Sequence, residues 1–209
     1  SYTVTRGEIG TTVEGADGTD VLIGIEKLRF DDGTVLLKSL GDDFDGDGRS
    51  DVLFRNSASG VNTIWKGANS ATSQGVSPIT SQDWKIVGVG DFGGDGKADI
   101  LWRNSANGQG VIWNAGNSAT IQGVSTLADL NWKVVGVGDF DGDGKADMLF
   151  RNSASGVNTI WRSGNSATSQ GVSPLADLNW KVVGVGDFDG DGKSDILWRN
   201  SSTGVKNGR

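Results

Sequence analysis

The chain has 209 residues with a formal net charge of −7, and it contains 34 glycines but neither cysteine nor histidine. Without those two side chains it cannot form disulfide scaffolds, Cys/His zinc sites or histidine-based catalytic triads. Its negative charge makes nucleic acid and anionic membranes poor partners, and no apolar run approaches the ~20 residues of a membrane-spanning helix. Eight tryptophans and seven phenylalanines nevertheless predict a packed core.

Residues 1–42 precede a repeated region and are predicted to contain strands at Ser1–Arg6 and Gly24–Phe30. The segment Gly15–Ile23 resembles one RTX nonapeptide, with Ala16 where the pattern has glycine, and residues 25–34 resemble the segment that follows such repeats in secreted bacterial proteins. Calcium in RTX repeats is shared between adjacent turns, so a lone copy predicts a structural strand pair rather than a metal site. No basic and apolar leader opens the chain, and we expect the signal for type I export to lie outside it.

An internal repeat of 48 residues fills the rest of the chain, residues 43–209. Its copies begin at Asp43, Asp91, Asp139 and Asp187, without insertion or deletion between them, and the fourth copy is incomplete. A fixed period of this length is typical of architectures in which each copy is one supersecondary unit. We therefore predict about three and a half structural units.

Each copy contains segments typical of short strands. Trp84–Gly90 is rich in β-branched residues and is followed by a Gly/Asp loop and by a second strand, Ala98–Asn104. The turn signal Asn107-Gly108 separates this strand from a third, Gly110–Trp113, and Ala119–Val124 is a weaker fourth. Four short strands per copy are therefore expected, and no helical periodicity of convincing length accompanies them.

The second strand carries the adjacent apolar residues Ile100, Leu101 and Trp102, which predicts burial on both faces. Period, strand number and two-sided burial predict an all-β fold of propeller blades, each of four short antiparallel strands, with a solenoid of stacked β units as the main alternative. Aromatic residues recur at the same spacing and are expected to pack between units, the alternative being sugar-stacking platforms. The three rows are Trp65, Trp113 and Trp161; Trp84, Trp132 and Trp180; and Phe54, Trp102, Phe150 and Trp198.

Each copy opens with a loop of the pattern D-x-D-G-D-G-x-x-D, which brings carboxylates together at alternate positions. These carboxylates repel one another without a cation, and an oxygen-only ligand set favours Ca²⁺ over transition metals. The twelfth position is aromatic where an EF-hand needs glutamate, so the loops are not EF-hands. The predicted ligands are Asp43, Asp45, Asp47 and Asp51; Asp91, Asp95 and Asp99; Asp139, Asp141, Asp143 and Asp147; Asp187, Asp189, Asp191 and Asp195; and the backbone carbonyls of Arg49, Lys97, Lys145 and Lys193.

In the second loop, Gly93 replaces the aspartate of the third position. We therefore expect three strong Ca²⁺ sites and one weaker site at Asp91–Asp99. The loops hold 15 of the 26 acidic residues, so the acidity of the chain is concentrated where the metal is predicted.

These units resemble FG-GAP/VCBS repeats, the blade type also found in integrin α-subunit heads. The stretch DFDGDGKADMLFRN at residues 139–152 is close to the core motif of that family, and the likeness covers residues 43–209. The resemblance implies a seven-bladed propeller as the usual complete form and Ca²⁺ held in the first interstrand loop of each blade. Gly93 departs from the motif.

Function is less constrained than fold. The leading expectation is a secreted or cell-surface bacterial module that binds calcium and an extracellular protein or glycan ligand, for adhesion or ligand capture. A carbohydrate-binding lectin is one alternative, and an ancillary, non-catalytic domain of a secreted hydrolase or lyase is another. The chain is not expected to be an enzyme, because its clustered carboxylates are assigned to the metal.

Closure of the predicted propeller is the last expectation. A closed ring leaves no sheet face open, because its first and last blades meet. Three and a half units leave three outcomes: an open arc, closure in cis by residues 1–42, or closure by a second copy. An exposed apolar face favours association, so a homodimer or other self-association is the preferred interpretation, and closure in cis is the next.

Overall fold

The computed structural model describes residues 42–208 in full and, before them, the backbone of five short strands. These early strands are β1 (Thr3–Gly7), β2 (Gly10–Gly15), β3 (Gly18–Leu22), β4 (Lys27–Phe30) and β5 (Gly33–Leu36). Strands β1, β2 and β3 form an antiparallel sheet and β4 pairs with β5. The metal question for the RTX-like nonapeptide lies outside the described residues, because no side chain before residue 42 is described.

Four antiparallel sheets follow, each starting again after one repeat length. Sheet I contains β6 (Val52–Arg55), β7 (Asn62–Trp65) and β8 (Ser73–Val76). Sheet II contains β9 (Trp84–Gly90), β10 (Asp99–Asn104), β11 (Gly110–Trp113) and β12 (Ile121–Val124). Sheet III contains β13 (Trp132–Gly138), β14 (Asp147–Asn152), β15 (Asn158–Trp161) and β16 (Ser169–Val172), and sheet IV contains β17 (Trp180–Gly186), β18 (Asp195–Asn200) and β19 (Lys206–Gly208).

The only helical segments among residues 42–208 are single 3-10 turns that follow β7, β11 and β15. They are Lys66–Ala68, Ser70–Thr72, Asn114–Gly116, Arg162–Gly164 and Ser166–Thr168. No helix in the described part of the chain is long and apolar enough to cross a membrane. The all-β, antiparallel prediction is therefore confirmed, and sheets II and III have the four strands expected of each unit. Their closure into a propeller stays a prediction.

Strand β10 shows why the sheets stack. Its side chains alternate, so that Ile100 and Trp102 pack with sheet I, while Leu101 packs with sheet III. Burial on both faces leaves no solvent side, which explains the unbroken apolar run. The same alternation in β14 and β18 fills the next interface with residues such as Leu149 and Trp198.

The aromatic rows lie where the packing interpretation puts them. Trp102, Phe150 and Trp198 are at most 1% exposed, and Trp113 and Trp161 are also buried. The row that begins each first strand, Trp84, Trp132 and Trp180, is half-buried against the same cores. Phe54 departs from its row because it is 42% exposed.

Candidate metal loops

The four aspartate loops lie next to the second strands of the repeats and carry the predicted metal ligands. Loop 1 (residues 43–51) precedes β6, and loops 2 (91–99), 3 (139–147) and 4 (187–195) join the first and second strands of sheets II, III and IV. The glycines at the fourth and sixth positions of every loop have φ between 75° and 89°. Only glycine adopts this left-handed backbone without strain, so the loop can turn back on itself and bring its carboxylates together.

Three loops assemble a cluster of carboxylates. The clusters are Asp43, Asp45 and Asp51; Asp139, Asp141 and Asp147; and Asp187, Asp189 and Asp195. Within each cluster, one oxygen from every carboxylate lies within 4.8 Å of the others. The first, third and ninth positions of the loop are thus brought together, as the sequence pattern predicts.

The first aspartate organises the loop. In loop 1 the Gly46 amide donates to Asp43 Oδ1 at 2.7 Å, and the Gly48 amide donates to Asp43 Oδ2 at 2.8 Å. The first aspartates of the other loops accept from the equivalent glycines. This carboxylate therefore holds the backbone of the loop in place with its own charge.

The ninth aspartate ties the loop to the rest of its sheet. Asp147 Oδ2 accepts from the Phe140 amide at 2.9 Å, and Oδ1 accepts from the Ser163 amide, in the 3-10 turn after the third strand, at 2.8 Å. Asp51 and Asp99 make the same two links. Loop and turn are therefore fixed relative to each other by one buried carboxylate.

Burial has an electrostatic cost at this position. Burial, together with the nearby charges of Asp141 and Asp143, raises the pKa of Asp147 to about 6, against the opposing effect of the amide hydrogen bonds from Ser163 and Phe140. Burial likewise raises the pKa of Asp99. A cation in the loop would stabilise the ionised form and offset this cost.

The fifth position differs in its surroundings from the first, third and ninth, and its role as a ligand stays a prediction. Asp47, Asp143 and Asp191 lie outside the three clusters, and each accepts a hydrogen bond from the amide two residues later. Those amides belong to Arg49, Lys145 and Lys193, whose carbonyls stay predicted ligands. Asp95 makes the same turn with Lys97.

Loop 2 lacks a three-carboxylate cluster within the described residues. A Cβ built on Gly93 would lie 3.9 Å from both Asp91 Oδ1 and Asp99 Oδ2. The position therefore faces the two remaining carboxylates, and its backbone is not in the left-handed region. Loop 2 lacks a third-position ligand because glycine has no side chain, while the backbone at this position could carry one.

A cationic side chain accompanies the third aspartate, which the sequence reasoning missed. Lys66 Nζ lies 3.5 Å from Asp45 Oδ2, and Arg162 Nε lies 3.2 Å from Asp141 Oδ2. The equivalent residue in the second repeat is Asn114. The repeat that has Gly93 in place of the third aspartate therefore also lacks the cationic side chain that pairs with it. The signal was available as a paired change, Asp with Lys or Arg and Gly with Asn, at the 48-residue spacing.

The donor set fits a hard divalent cation. Oxygens bound to one Ca²⁺ at about 2.4 Å lie at most about 4.8 Å apart, and the oxygens of the three clusters lie within 4.8 Å of one another. Every side-chain donor in the clusters is a carboxylate oxygen, the ligand type that Ca²⁺ and Mg²⁺ prefer. Asp43, Asp45 and Asp51, with their counterparts in loops 3 and 4, are the residues that would hold the ion.

The model of the FG-GAP-like repeat matches residues 43–102, 91–150 and 139–198. The chain belongs to the FG-GAP-like repeat family. The matches begin at the first aspartates of loops 1, 2 and 3 and cover the loop and the second strand of each sheet, which confirms the resemblance seen in the sequence. No curated protein matches the chain at a significant level.

Adjacent FG-GAP-like loops are linked through their backbones. The Ala98 amide of loop 2 donates to the Asp43 carbonyl of loop 1 at 2.6 Å. Ala146 to Asp91 and Ser194 to Asp139 repeat the bond at the same distance. Each candidate metal loop therefore forms part of the interface between two sheets.

A cleft of about 370 Å³ lies beside loop 1, between sheets I and II. Its lining includes Asp45, Lys66, Gln74, Lys97 and Asn117. These side chains supply charges of both signs and amide groups, so the cleft fits a polar ligand rather than an apolar one.

Proposed function

We propose that the chain is a calcium-stabilised, non-catalytic binding module of a secreted or cell-surface protein, built from blades of a β-propeller. The observation that supports it best is the same cluster of three carboxylates in loops 1, 3 and 4. Such a cluster is costly without a cation. FG-GAP-like repeats are typical of extracellular ligand-binding proteins, which supports the location.

We propose a non-catalytic chain because the loop carboxylates already have other roles. The first and ninth aspartates accept amide hydrogen bonds that hold the loop, as Asp139 and Asp147 do in loop 3. An acid or base in catalysis must exchange its proton freely with a substrate. A carboxylate fixed in a loop and engaged with a cation is poorly suited to that work.

Calorimetry on chelator-treated protein tests the metal proposal. Titration with CaCl₂ should give three strong sites and one weaker site, and Asp141→Ala should remove one strong site. Asp83→Ala is the control, because Asp83 is exposed and lies outside the loops. Absence of binding at millimolar Ca²⁺, or four equal sites, would contradict the proposal.

Glycan binding is the second candidate, and the cleft between sheets I and II favours it. A volume of about 370 Å³ lies within the range of small-molecule sites, and its amide and charged groups can pair with hydroxyls. A glycan array should show retention that Asn117→Ala weakens. Asn165→Ala is the matched control, because Asn165 makes the same local hydrogen bond in the third repeat. An array without signal would remove this candidate.

A role beside the catalytic domain of a secreted hydrolase or lyase is the remaining alternative. The gene sequence on either side of these residues tests it directly. A catalytic domain there would make the chain an ancillary module, with its metal loops unchanged.

A further inference from the structure

The contact between neighbouring sheets occurs three times with the same residues. The guanidinium of Arg55, at the end of β6 in sheet I, lies 5.0 Å from the ring centre of Trp102 on sheet II. Arg103 lies 5.8 Å from Phe150, and Arg151 lies 5.1 Å from Trp198. Each arginine also donates to backbone carbonyls of the loops beside its own sheet. A cation–π pair therefore marks every sheet-to-sheet step.

Two further contacts recur at each step. The eighth residue of a loop donates its amide to the first carbonyl of the preceding loop, as in Ser194 to Asp139. The stem of the seventh residue covers the fourth-position glycine of the preceding loop, and Lys193 Cγ lies 3.3 Å from a Cβ built on Gly142. The interface is therefore a fixed set of contacts rather than general apolar burial.

The two outer sheets each carry one half of this interface. On the leading face of sheet I (Ser50, Val52 and Phe54), Phe54 is 42% exposed, although its counterparts Trp102 and Phe150 are buried. The Ser50 amide has no hydrogen-bond partner within residues 42–208. Nothing within residues 42–208 supplies this face with the arginine, the carbonyl and the glycine that a preceding sheet would provide.

The trailing face of sheet IV (Val183, Phe188, Gly190 and Arg199) carries the other half. Phe188 is 37% exposed, whereas its counterparts Phe44 and Phe92 are 2% exposed and Phe140 is half-buried. Nothing lies within 4 Å of a Cβ built on Gly190, unlike the covered Gly142. Arg199 is exposed and stacks on no ring among the described residues.

We infer that the leading face of one chain binds the trailing face of a second copy, head to tail. Arg199 then stacks on the partner's Phe54, the partner's Ser50 amide donates to the Asp187 carbonyl, and the partner's Arg49 covers Gly190. Each pairing continues a contact that the structure shows three times between its own sheets. The contact is heterologous, so it builds a ring where the rotation closes and a longer array where it does not.

Cysteine cross-linking tests this arrangement, because the chain contains no cysteine. At the internal steps, a Cβ built on Gly90 lies 2.9 Å from Ala146 Cβ, and one built on Gly138 lies 2.9 Å from Ser194 Cβ. The equivalent intermolecular pair is Gly186 with Ser50. Mixing the Ser50→Cys chain with the Gly186→Cys chain under mild oxidation should give a species of twice 21.8 kDa. Each variant alone should give much less of this cross-linked species, because its cysteine lies on only one of the two faces that meet.

Two outcomes would overturn the inference. One is a mixture that cross-links no more than the single variants. The other is a Ser50→Cys/Gly186→Cys double variant that closes within one chain, because the occupant would then be the chain itself. The contacts use backbone groups and side-chain stems of the loops rather than their carboxylates, so cross-linking is measured both with Ca²⁺ and with chelator.

Light scattering supplies a second measurement with variants that act on one face each. Phe54→Glu disables the leading face, and Arg199→Glu disables the trailing face. Each variant alone should shift to the monomer mass, while their mixture should recover a dimer through the two intact faces. A wild-type chain that stays at 21.8 kDa at high concentration, or a mixture that stays monomeric, would refute head-to-tail binding.

Discussion

Replacing Gly93 with aspartate should create a third carboxylate in loop 2. The new Cβ lies 3.9 Å from one oxygen each of Asp91 and Asp99, and the position is exposed with a backbone that accepts a side chain. The new carboxylate can therefore join the other two within the spacing seen in loops 1, 3 and 4. We expect Gly93→Asp to convert the weak site into a strong one.

The expected effect on stability changes sign with calcium. A new site with a dissociation constant of about 10 µM adds about 2.7 kcal/mol to the free energy of unfolding at about 1 mM Ca²⁺. For a chain of this size that raises the melting temperature by roughly 5–11 °C. In chelator, repulsion from each neighbouring carboxylate at about 5 Å costs about 1 kcal/mol in water, so the variant should melt below wild type.

Calorimetric titration and thermal melts, each with Ca²⁺ and with chelator, measure both effects. Gly93→Ala is the control, because it adds the Cβ without the charge. Its melting temperature should differ from that of wild type by the same amount with Ca²⁺ and with chelator. Asp141→Gly tests the converse, since it gives loop 3 the composition of loop 2. A fourth site that stays weak in Gly93→Asp, or a lower melting temperature in both buffers, would refute the reasoning about the third position.

Three other predictions concern pH, charge and packing. Because the pKa of Asp147 rises from 3.8 to about 6 on folding, the native metal-free chain binds this proton more tightly than the unfolded chain does. Its free energy of unfolding, measured by chemical denaturation, should therefore fall as the pH rises from about 3.8 to about 6. The Ca²⁺ affinity, measured by titration at several pH values, should weaken below about pH 6. Arg162→Gln should strengthen Ca²⁺ binding at loop 3 by up to about fivefold in calorimetry, because it removes the cation paired with the third aspartate; unchanged affinity would contradict this. Gly136→Ala places a Cβ 2.6 Å from Val185 Cγ2 and should cost about 1–3 kcal/mol in urea melts, whereas Gly184→Ala, whose nearest atoms are 3.6 Å away, should cost less; equal losses would contradict the overpacking argument.

Much of the fold could be predicted because the pattern of each strand recurs in several copies of the repeat. The first strand of sheet II, Trp84–Gly90, was predicted to the residue, and the fourth began two residues later than expected, at Ile121. A 3-10 turn at Asn114–Gly116 occupies the chain before it. Its middle residue, Ala115, has φ of 48°, a left-handed conformation that no propensity argument would assign to alanine.

The loops were predictable in composition and less so in geometry. Alternate carboxylates at the first, third and ninth positions do converge, but the fifth-position residue, such as Asp143, lies outside the cluster and accepts from the amide of Lys145. Spacing alone does not separate the two cases, because a clustered carboxylate such as Asp141 also accepts from the amide two residues later. The role of Arg162 depends on a turn 15 residues beyond the loop, which local pattern reasoning does not connect to it.

The amides that link successive loops are natural reporters of separation between sheets. Those of Ala98, Ala146 and Ser194 each donate across one interface and no other. An amide hydrogen exchanges with solvent only when its hydrogen bond opens, so its protection measures the free energy of that opening. Residue-resolved hydrogen–deuterium exchange would therefore report the three interfaces one by one, and would show whether the array opens from its ends inward or as a single unit.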